Sequence, residues 1–179
     1  MTLGCAGAPG RITLRPIEPA EVFGGFTCGT RPGAVEIDTY LHTQSTADHA
    51  AKLSAVWVAI DAFAVDPELR LLGFFTLSPL SIPISPSLTA FIKLSATPYP
   101  AVGGYLIGRL GVASHQQGQQ FGDVLVFAAI QRARLAGINS AGAFVAVDPK
   151  NDQLVEWYER LGFNRLDLHP KKRRMVFRL

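Results

Sequence analysis

The sequence predicts a mixed α/β protein, a mostly antiparallel central sheet of about six to seven strands flanked by about four helices. Three observations carry that expectation. Two runs rich in β-branched and aromatic residues, "SAVWVAID" and "LRLLGFFTLS", lie either side of the turn-forming "AFAVDPE" and read as a hairpin. Later in the chain, strand-like runs alternate with "DVLVFAAIQRARLAG" and "NDQLVEWYERLG", both of helical period. A sheet with helices packed on its faces satisfies both patterns.

Taken in order, "ITLRPI" reads as a first strand after a Gly/Pro-containing start. Between Ile37 and Leu53, apolar Ile37, Tyr40 and Leu41 at helical spacing, followed by Ala47, Ala50 and Ala51, predict one or two short helices. The hairpin strands span 54–61 and 69–78, with Asp66-Pro67 marking the turn. Pro79, Pro83 and Pro86 interrupt "SPLSIPISPS" and predict a loop or broken edge there, because proline cannot donate to a ladder. After turns at Pro98 and Pro100 come a strand over 104–112, a helix over 123–137, a strand over 142–148, a helix over 151–162 and a closing strand over 174–179. The helix over 123–137 is apolar nearly all round from Val124 to Ile130, with Gln131, Arg132 and Arg134 only afterwards. That pattern predicts burial between layers at its start and a surface position at its end.

At 179 residues the chain has the size of a single domain, 1–179, burying roughly two thirds of its unfolded surface. Hydrophobic residues make up 48% and mean hydropathy is +0.21, high enough to suggest an apolar face used for self-association or a partner. No apolar run approaches ~18 residues and the first twenty lack a secretory pattern, so the expectation is a cytoplasmic protein without membrane contact. Two cysteines without CxxC spacing and four scattered histidines give no support to a metal site, and no GxSxG elbow points to a hydrolase. Net charge is +3, with Lys171, Lys172, Arg173 and Arg174 side by side before the last strand. Such a run can contact a phosphate backbone, although a short basic turn before a last strand is more often a solvated surface.

The chemistry concentrates at "HQQGQQFGD", residues 115–123, where a strand hands over to a helix. It matches neither the Walker nor the Rossmann glycine spacing. It does offer Gly118 and Gly122 ahead of a helix whose unpaired N–H groups and positive dipole end can hold a pyrophosphate without a cationic side chain. Gln120 fits that reading if its dihedrals are ordinary helical ones.

The run "RLGVASHQQGQQFGDVLV" resembles motif A of the GCN5-related N-acetyltransferase (GNAT) superfamily, Q/R-x-x-G-x-G/A. Gln117 takes the first position, Gln120 falls where the first glycine is required, and Gly122 takes the last. "NDQLVEWYERLGF" resembles the family's motif B: Asn151 and Tyr158 agree with it, as does "LGF", while Leu154 replaces an Ala and Trp157 a Phe. The resemblance implies a GNAT fold, splayed at its fourth and fifth strands, with acetyl-CoA as donor. It implies that Leu110, Gly111 and Val112 pair with the pantetheine arm. Gln117, Gly118, Gln119, Gln120, Gly122 and Asp123 would cradle the pyrophosphate, Asn151 would touch the cofactor, and Tyr158 would protonate the leaving thiolate. Backbone N–H groups near Leu110 could polarise the thioester carbonyl. No Asp, Glu or His of the late half stands at an obvious strand end to act as base, which points to an acceptor amine already largely neutral. An α-amine, with pKa near ~7.7, meets that condition and a lysine near ~10.4 does not.

The front segment "FTCGTRPGAVEIDTYLHTQSTADHA" is similar to the start of the tRNA-acetylating toxins of bacterial type II toxin-antitoxin pairs, through Phe26, Cys28, Gly29, Ile37, Asp38, Tyr40 and Leu41. "PAVGGYLIGRLGV" and the basic ending "RRMVFRL" fit the same group. That likeness implies acetylation of the α-amine of an aminoacyl-tRNA, which blocks translation, and a ribbon-helix-helix antitoxin as partner, with a homodimer as a further expectation. Arg109, which by alternation shares a face with Tyr105 and Ile107, would contact the tRNA, or else form a structural ion pair. Arg132, Arg134, Lys171, Lys172, Arg173 and Arg174 would add backbone contacts. Two other readings stand beside it: an acetyltransferase of a small amine, antibiotic or protein N-terminus, and a family member that binds acetyl-CoA without turnover.

Overall fold

The computed structural model describes residues 12–93, 98–166 and 173–179. Seven strands are formed: β1 (Ile12–Pro16), β2 (Ala55–Asp61), β3 (Leu71–Pro83), β4 (Ala101–Val112), β5 (Phe144–Val147), β6 (Asn164–Arg165) and β7 (Met175–Arg178). The helices are α1 (Ala34–Thr43), α2 (Ser45–Ala50), α3 (Pro86–Ile92), α4 (Phe121–Ser140) and α5 (Asp152–Arg160). The strands make one sheet in the order β1-β2-β3-β4-β5-β7-β6. β1-β2, β2-β3, β5-β7 and β6-β7 are antiparallel and β4-β5 is parallel, as the late strand-helix alternation requires. None of the described helices is long and apolar enough to cross a membrane.

The proline-rich stretch follows the edge alternative and not the loop, and it adds a helix that was not expected. Residues 79–83 are not a loop but the second half of β3. The β2 register ends at Ala55 opposite Leu77, so Pro79 and Pro83 fall beyond it. Four residues apart, they place their missing N–H groups on the same side of the strand, and prolines so placed are tolerated where a ladder has ended. Pro86 does not break an element either; it opens α3, a fifth helix. The Ser85 hydroxyl accepts from the Leu88 N–H at 3.2 Å, so "SPSL" is a capped helix start with proline in its first turn.

The internal contacts group into two compact units, each built from two chain segments: residues 1–77 with 109–126, and 78–108 with 127–179. In the first unit Val56, Val58 and Ile60 alternate along β2 and bury one face with Leu71, Phe74, Phe26, Tyr40 and Leu41. Phe26 meets Phe74 edge-on at 5.6 Å and Tyr40 stacks on it at 6.4 Å. In the second unit Phe144 and Ala146 alternate along β5 and pack with Ile82, Leu88, Leu166 and Val176. A Cβ at Gly104 would lie 2.5 Å from the Phe144 ring, so that ring requires a glycine on the neighbouring strand.

The helix expected over 123–137 runs from Phe121 to Ser140 and is less enclosed at its start than its composition suggests. Leu125, Val126, Ala128, Ala129, Ile130 and Ala133 are buried, but Phe127 is 49% exposed, Leu135 49% and Ile138 78%. These three lie three to eleven residues apart and leave an apolar stripe on the outward side.

Candidate active site

In the first unit, β4 ends at Val112 and the chain passes through a 3-10 turn, Ser114–Gln116, into residues 117–120 and then α4. The Gln117 carboxamide turns inward: Nε2 donates to the Cys28 carbonyl at 2.8 Å and to the Val112 carbonyl at 3.1 Å. This side chain is therefore occupied, and so is the residue's N–H, which donates to the Ser114 carbonyl at 3.3 Å, so Gln117 holds the turn and offers an anion no donor. Gly118 has φ +79° and Gln120 φ +58°. Gln120 is thus left-handed and not ordinarily helical, which corrects the expectation drawn from the sequence. Residue 120 has the conformation that glycine adopts without penalty, and a glutamine bears it.

The Gln120 carbonyl accepts from the N–H groups of Asp123 at 3.1 Å and Val124 at 3.4 Å, which marks it as the start of α4. Among the described residues the N–H groups of Gly118, Gln119, Gln120, Phe121 and Gly122 meet no backbone acceptor. Five successive uncommitted donors at the positive end of a 20-residue helix suit an anion. Asp123 brings no spare backbone donor, since its N–H serves Gln120. Its carboxylate sits in the first helical turn, where the dipole favours a negative charge.

The strand end beside this turn is tightly held. A Cβ at Gly111 would lie 2.7 Å from Phe74, 2.8 Å from Ile37 and 3.1 Å from the Cys28 sulfur, so only glycine fits between α1 and the core. The Arg109 N–H donates to the hydroxyl of the buried Thr76 at 2.9 Å. Its exposed guanidinium lies 3.9 Å from the centre of the Tyr40 ring, a cation-π contact in place of the ion pair that the sequence left open. Tyr40 is buried, and burial together with the nearby Asp48 carboxylate pushes its pKa up to about 12. Burial and the Asp38 carboxylate likewise push the Cys28 thiol up to about 12, which keeps it a thiol and removes it as a nucleophile near neutral pH.

In the second unit Asn151 caps α5, its Oδ1 accepting from the Leu154 N–H at 2.9 Å. Half of its side chain is therefore structural, and the amide NH₂ donates to no described residue. Val155 and Tyr158 form the buried side of the helix. The Tyr158 ring lies 4.6 Å from Trp157 and 5.2 Å from Phe163, which it meets edge-on, and Phe163 in turn lies 5.5 Å from Phe177. Burial raises the Tyr158 pKa well above the ordinary phenol value, so the group is protonated at every physiological pH.

The expected RNA-binding cations divide. Arg174 makes a two-point ion pair with Asp148, at 2.8 and 2.6 Å. Arg173 binds Asp152 at 3.1 Å and the Lys150 carbonyl at 2.9 Å. Much of the positive field expected from this run is therefore balanced locally. Arg134 is exposed and approaches the Phe177 ring at 6.0 Å, and Arg132 is half-buried. Lys171 and Lys172 lie outside the described residues. Two features escaped the sequence reading: the Tyr40 ring under Arg109, and the contacts of Asp38 with residues 27 and 28. The only signal was their place in the "FTCG…IDTYL" likeness.

The strand end, the glycine-bearing turn, α4 and the capped helix carrying a buried tyrosine all fall in one stretch of chain. Residues 78–163 match the acetyltransferase (GNAT) family. Both GNAT-like motifs lie inside that stretch. Solved structures with the same fold include a tyrosine-to-phenylalanine variant of KacT, 24% identical with a TM-score of 0.78, covering 94% of this chain and 95% of that one. AtaT complexed with acetyl-methionyl-tRNAfMet is 22% identical with a TM-score of 0.75, covering 93% and 94%. A variant of the toxin AtaT bound to the C-terminus of the antitoxin AtaR and acetyl-CoA is 19% identical with a TM-score of 0.73, covering 94% and 93%. The chain therefore has a GNAT fold from β1 to β7, well beyond the stretch that matches the family model.

Proposed function

We propose that this protein is an acetyl-CoA-dependent N-acetyltransferase whose acceptor is the α-amine of an aminoacyl-tRNA, and that it acts as the toxin of a type II toxin-antitoxin pair. The observation that carries the donor is the row of uncommitted N–H groups from Gly118 to Gly122, which fits a pyrophosphate better than any neutral ligand. Residues 118–122 would hold that group by backbone donors, with Gln117 fixing the turn from behind. Leu110, Gly111 and Val112 would pair with the pantetheine arm: the parallel register with β5 covers only Tyr105 and Leu106, and β4 runs six residues further. The NH₂ of Asn151 would contact the cofactor. Since the chain enters both units twice, residues 1–179 are read as one domain.

The reaction forms a C–N bond and breaks a C–S bond. The neutral amine attacks the thioester carbonyl, and the tetrahedral intermediate collapses to amide and thiol. Tyr158 would supply the proton to sulfur. Its phenol, made less acidic by burial, is a weaker acid than a thiol of pKa ~8.5, so transfer to the thiolate is uphill unless the phenolate regains a proton at once. The attacking nitrogen, positively charged after addition, carries the proton that closes this balance. No separate strong base is needed when the amine is already neutral.

The acceptor is inferred from the AtaT complex with acetyl-methionyl-tRNAfMet and from Arg109. One face of its guanidinium is covered by Tyr40, and its remaining N–H edges would be available to a phosphate. The complex of AtaT with the antitoxin AtaR supports an antitoxin as partner, which by the sequence likeness would be of the ribbon-helix-helix type; the stripe of Phe127, Leu135 and Ile138 would offer it an apolar face, and self-association through that face would give the homodimer. The test is transfer of labelled acetyl from acetyl-CoA to charged and uncharged tRNA. Transfer only to charged tRNA, falling steeply with salt, supports the reading. Equal transfer to small amines without tRNA supports an acetyltransferase of small acceptors, and binding without transfer a non-catalytic member.

A further inference from the structure

The turn that would hold the pyrophosphate is anchored to the front of the chain through one short segment, Thr27–Gly29. On one side, both carboxylate oxygens of Asp38, on α1, are engaged by that segment. Oδ1 accepts from the Cys28 N–H at 2.8 Å and Oδ2 from the Thr27 hydroxyl at 2.8 Å. The Thr27 oxygen itself accepts from the Gly29 N–H at 3.0 Å. On the other side, the two carbonyls of the segment face the turn. Thr27 O accepts from the Ser114 N–H at 2.8 Å and Cys28 O from Gln117 Nε2 at 2.8 Å. Gly29, with φ +79°, lets the chain reverse directly after these contacts.

Each Thr27 and Cys28 contact with the turn is thus backed by a contact with one carboxylate. We propose that Asp38 is a positioning residue for the anion-binding turn, acting through Thr27 and Cys28 on Ser114 and Gln117. Asp38 touches no ligand in this scheme. It fixes the segment whose carbonyls hold Gln117, and Gln117 fixes the start of the N–H row. A carboxylate suits the role because it accepts on both oxygens at once, whereas an amide of the same shape presents one acceptor and one donor. A row of backbone donors is effective toward an anion only when it is held in place beforehand, so loosening the anchor weakens anion binding without altering the donors themselves.

This inference rests on the acetyl-CoA reading, and the experiment separates the two. Binding of coenzyme A and of pantetheine, which lacks the pyrophosphate, is measured by calorimetry for the wild-type chain, Asp38→Asn and Thr27→Ser. The wild type is expected to bind coenzyme A far more tightly than pantetheine. In Asp38→Asn the affinity for coenzyme A should fall about tenfold while that for pantetheine stays within about twofold. Thr27→Ser, which keeps the hydroxyl, should behave as wild type. A general loss of structure would lower both affinities together, and such a parallel loss overturns the positioning role, as does an unchanged coenzyme A affinity. A wild type that fails to distinguish the two ligands overturns the cofactor reading itself. Loss of the Gln117 contact by Gln117→Met provides a second variant, expected to show the same selective loss.

Discussion

Replacing Gln120 by glycine should stabilise the protein. Gln120 has φ +58°, a conformation that costs an L-residue about 1–2 kcal/mol relative to right-handed backbone. Its side chain is exposed and hydrogen-bonds to no described residue, so its removal forfeits little. Against the relief stands the larger conformational freedom of glycine in the unfolded chain, about 0.5–1 kcal/mol. The difference is a net gain of about 0.5–1 kcal/mol, which for a chain of this length is a rise in Tm of roughly 1–4 °C. Urea unfolding measures it, with the midpoint moving up and the m-value unchanged. Gln120→Ala, which keeps a Cβ in the same conformation, should show no comparable gain. Because the Gln120 N–H and carbonyl survive, coenzyme A affinity in Gln120→Gly should be equal to wild type or modestly better. A destabilised Gln120→Gly, or one that loses coenzyme A binding, would refute the argument and give the glutamine side chain a role that its exposure does not suggest.

Tyr158→Phe should reduce acetyl transfer by about a hundredfold or more, the scale of a lost general acid. Since the Tyr158 hydroxyl bonds to no described residue, the variant should keep its stability within about 1 kcal/mol, and coenzyme A should still bind. Full activity in this variant would end the acid assignment. The pH dependence of stability follows from the same burial. A tyrosine whose pKa is raised in the folded state leaves stability intact below the unfolded value of ~10 and costs stability above it, as the unfolded chain loses its proton first. Tyr40, pushed up to about 12, adds to the effect between pH 10 and 12. Unfolding free energy should therefore be flat in Tyr158 and Tyr40 up to about pH 10 and fall beyond it, and Tyr158→Phe should show the shallower fall. A fall of equal slope in the two proteins would contradict the burial of Tyr158.

Much of the fold was legible because the signals are local. The β-branched and aromatic content of "SAVWVAID" marked β2, the Asp66-Pro67 turn was read from its residue types, and the helical period of "NDQLVEWYERLG" marked α5. "SPSL" was an equally local signal, a serine cap before proline, and three nearby prolines obscured it. Within the candidate site the sequence supplied the residues but not their orientations. Gln117 stood at a motif position, yet whether its amide faced ligand or protein depended on a carbonyl 89 residues away.

The sequence by itself determined most of the segments that become strands and helices and where a helix start with spare N–H groups falls, since each depends on neighbours within a turn or two. The tertiary structure alone decided the left-handed backbone at Gln120, the inward turn of Gln117, the stacking of Arg109 on Tyr40 and the pairing of Arg173 and Arg174 with acidic residues. The side-chain outcomes depend on partners distant in the chain, and an amide or a charge is committed only when packing brings its partner within reach.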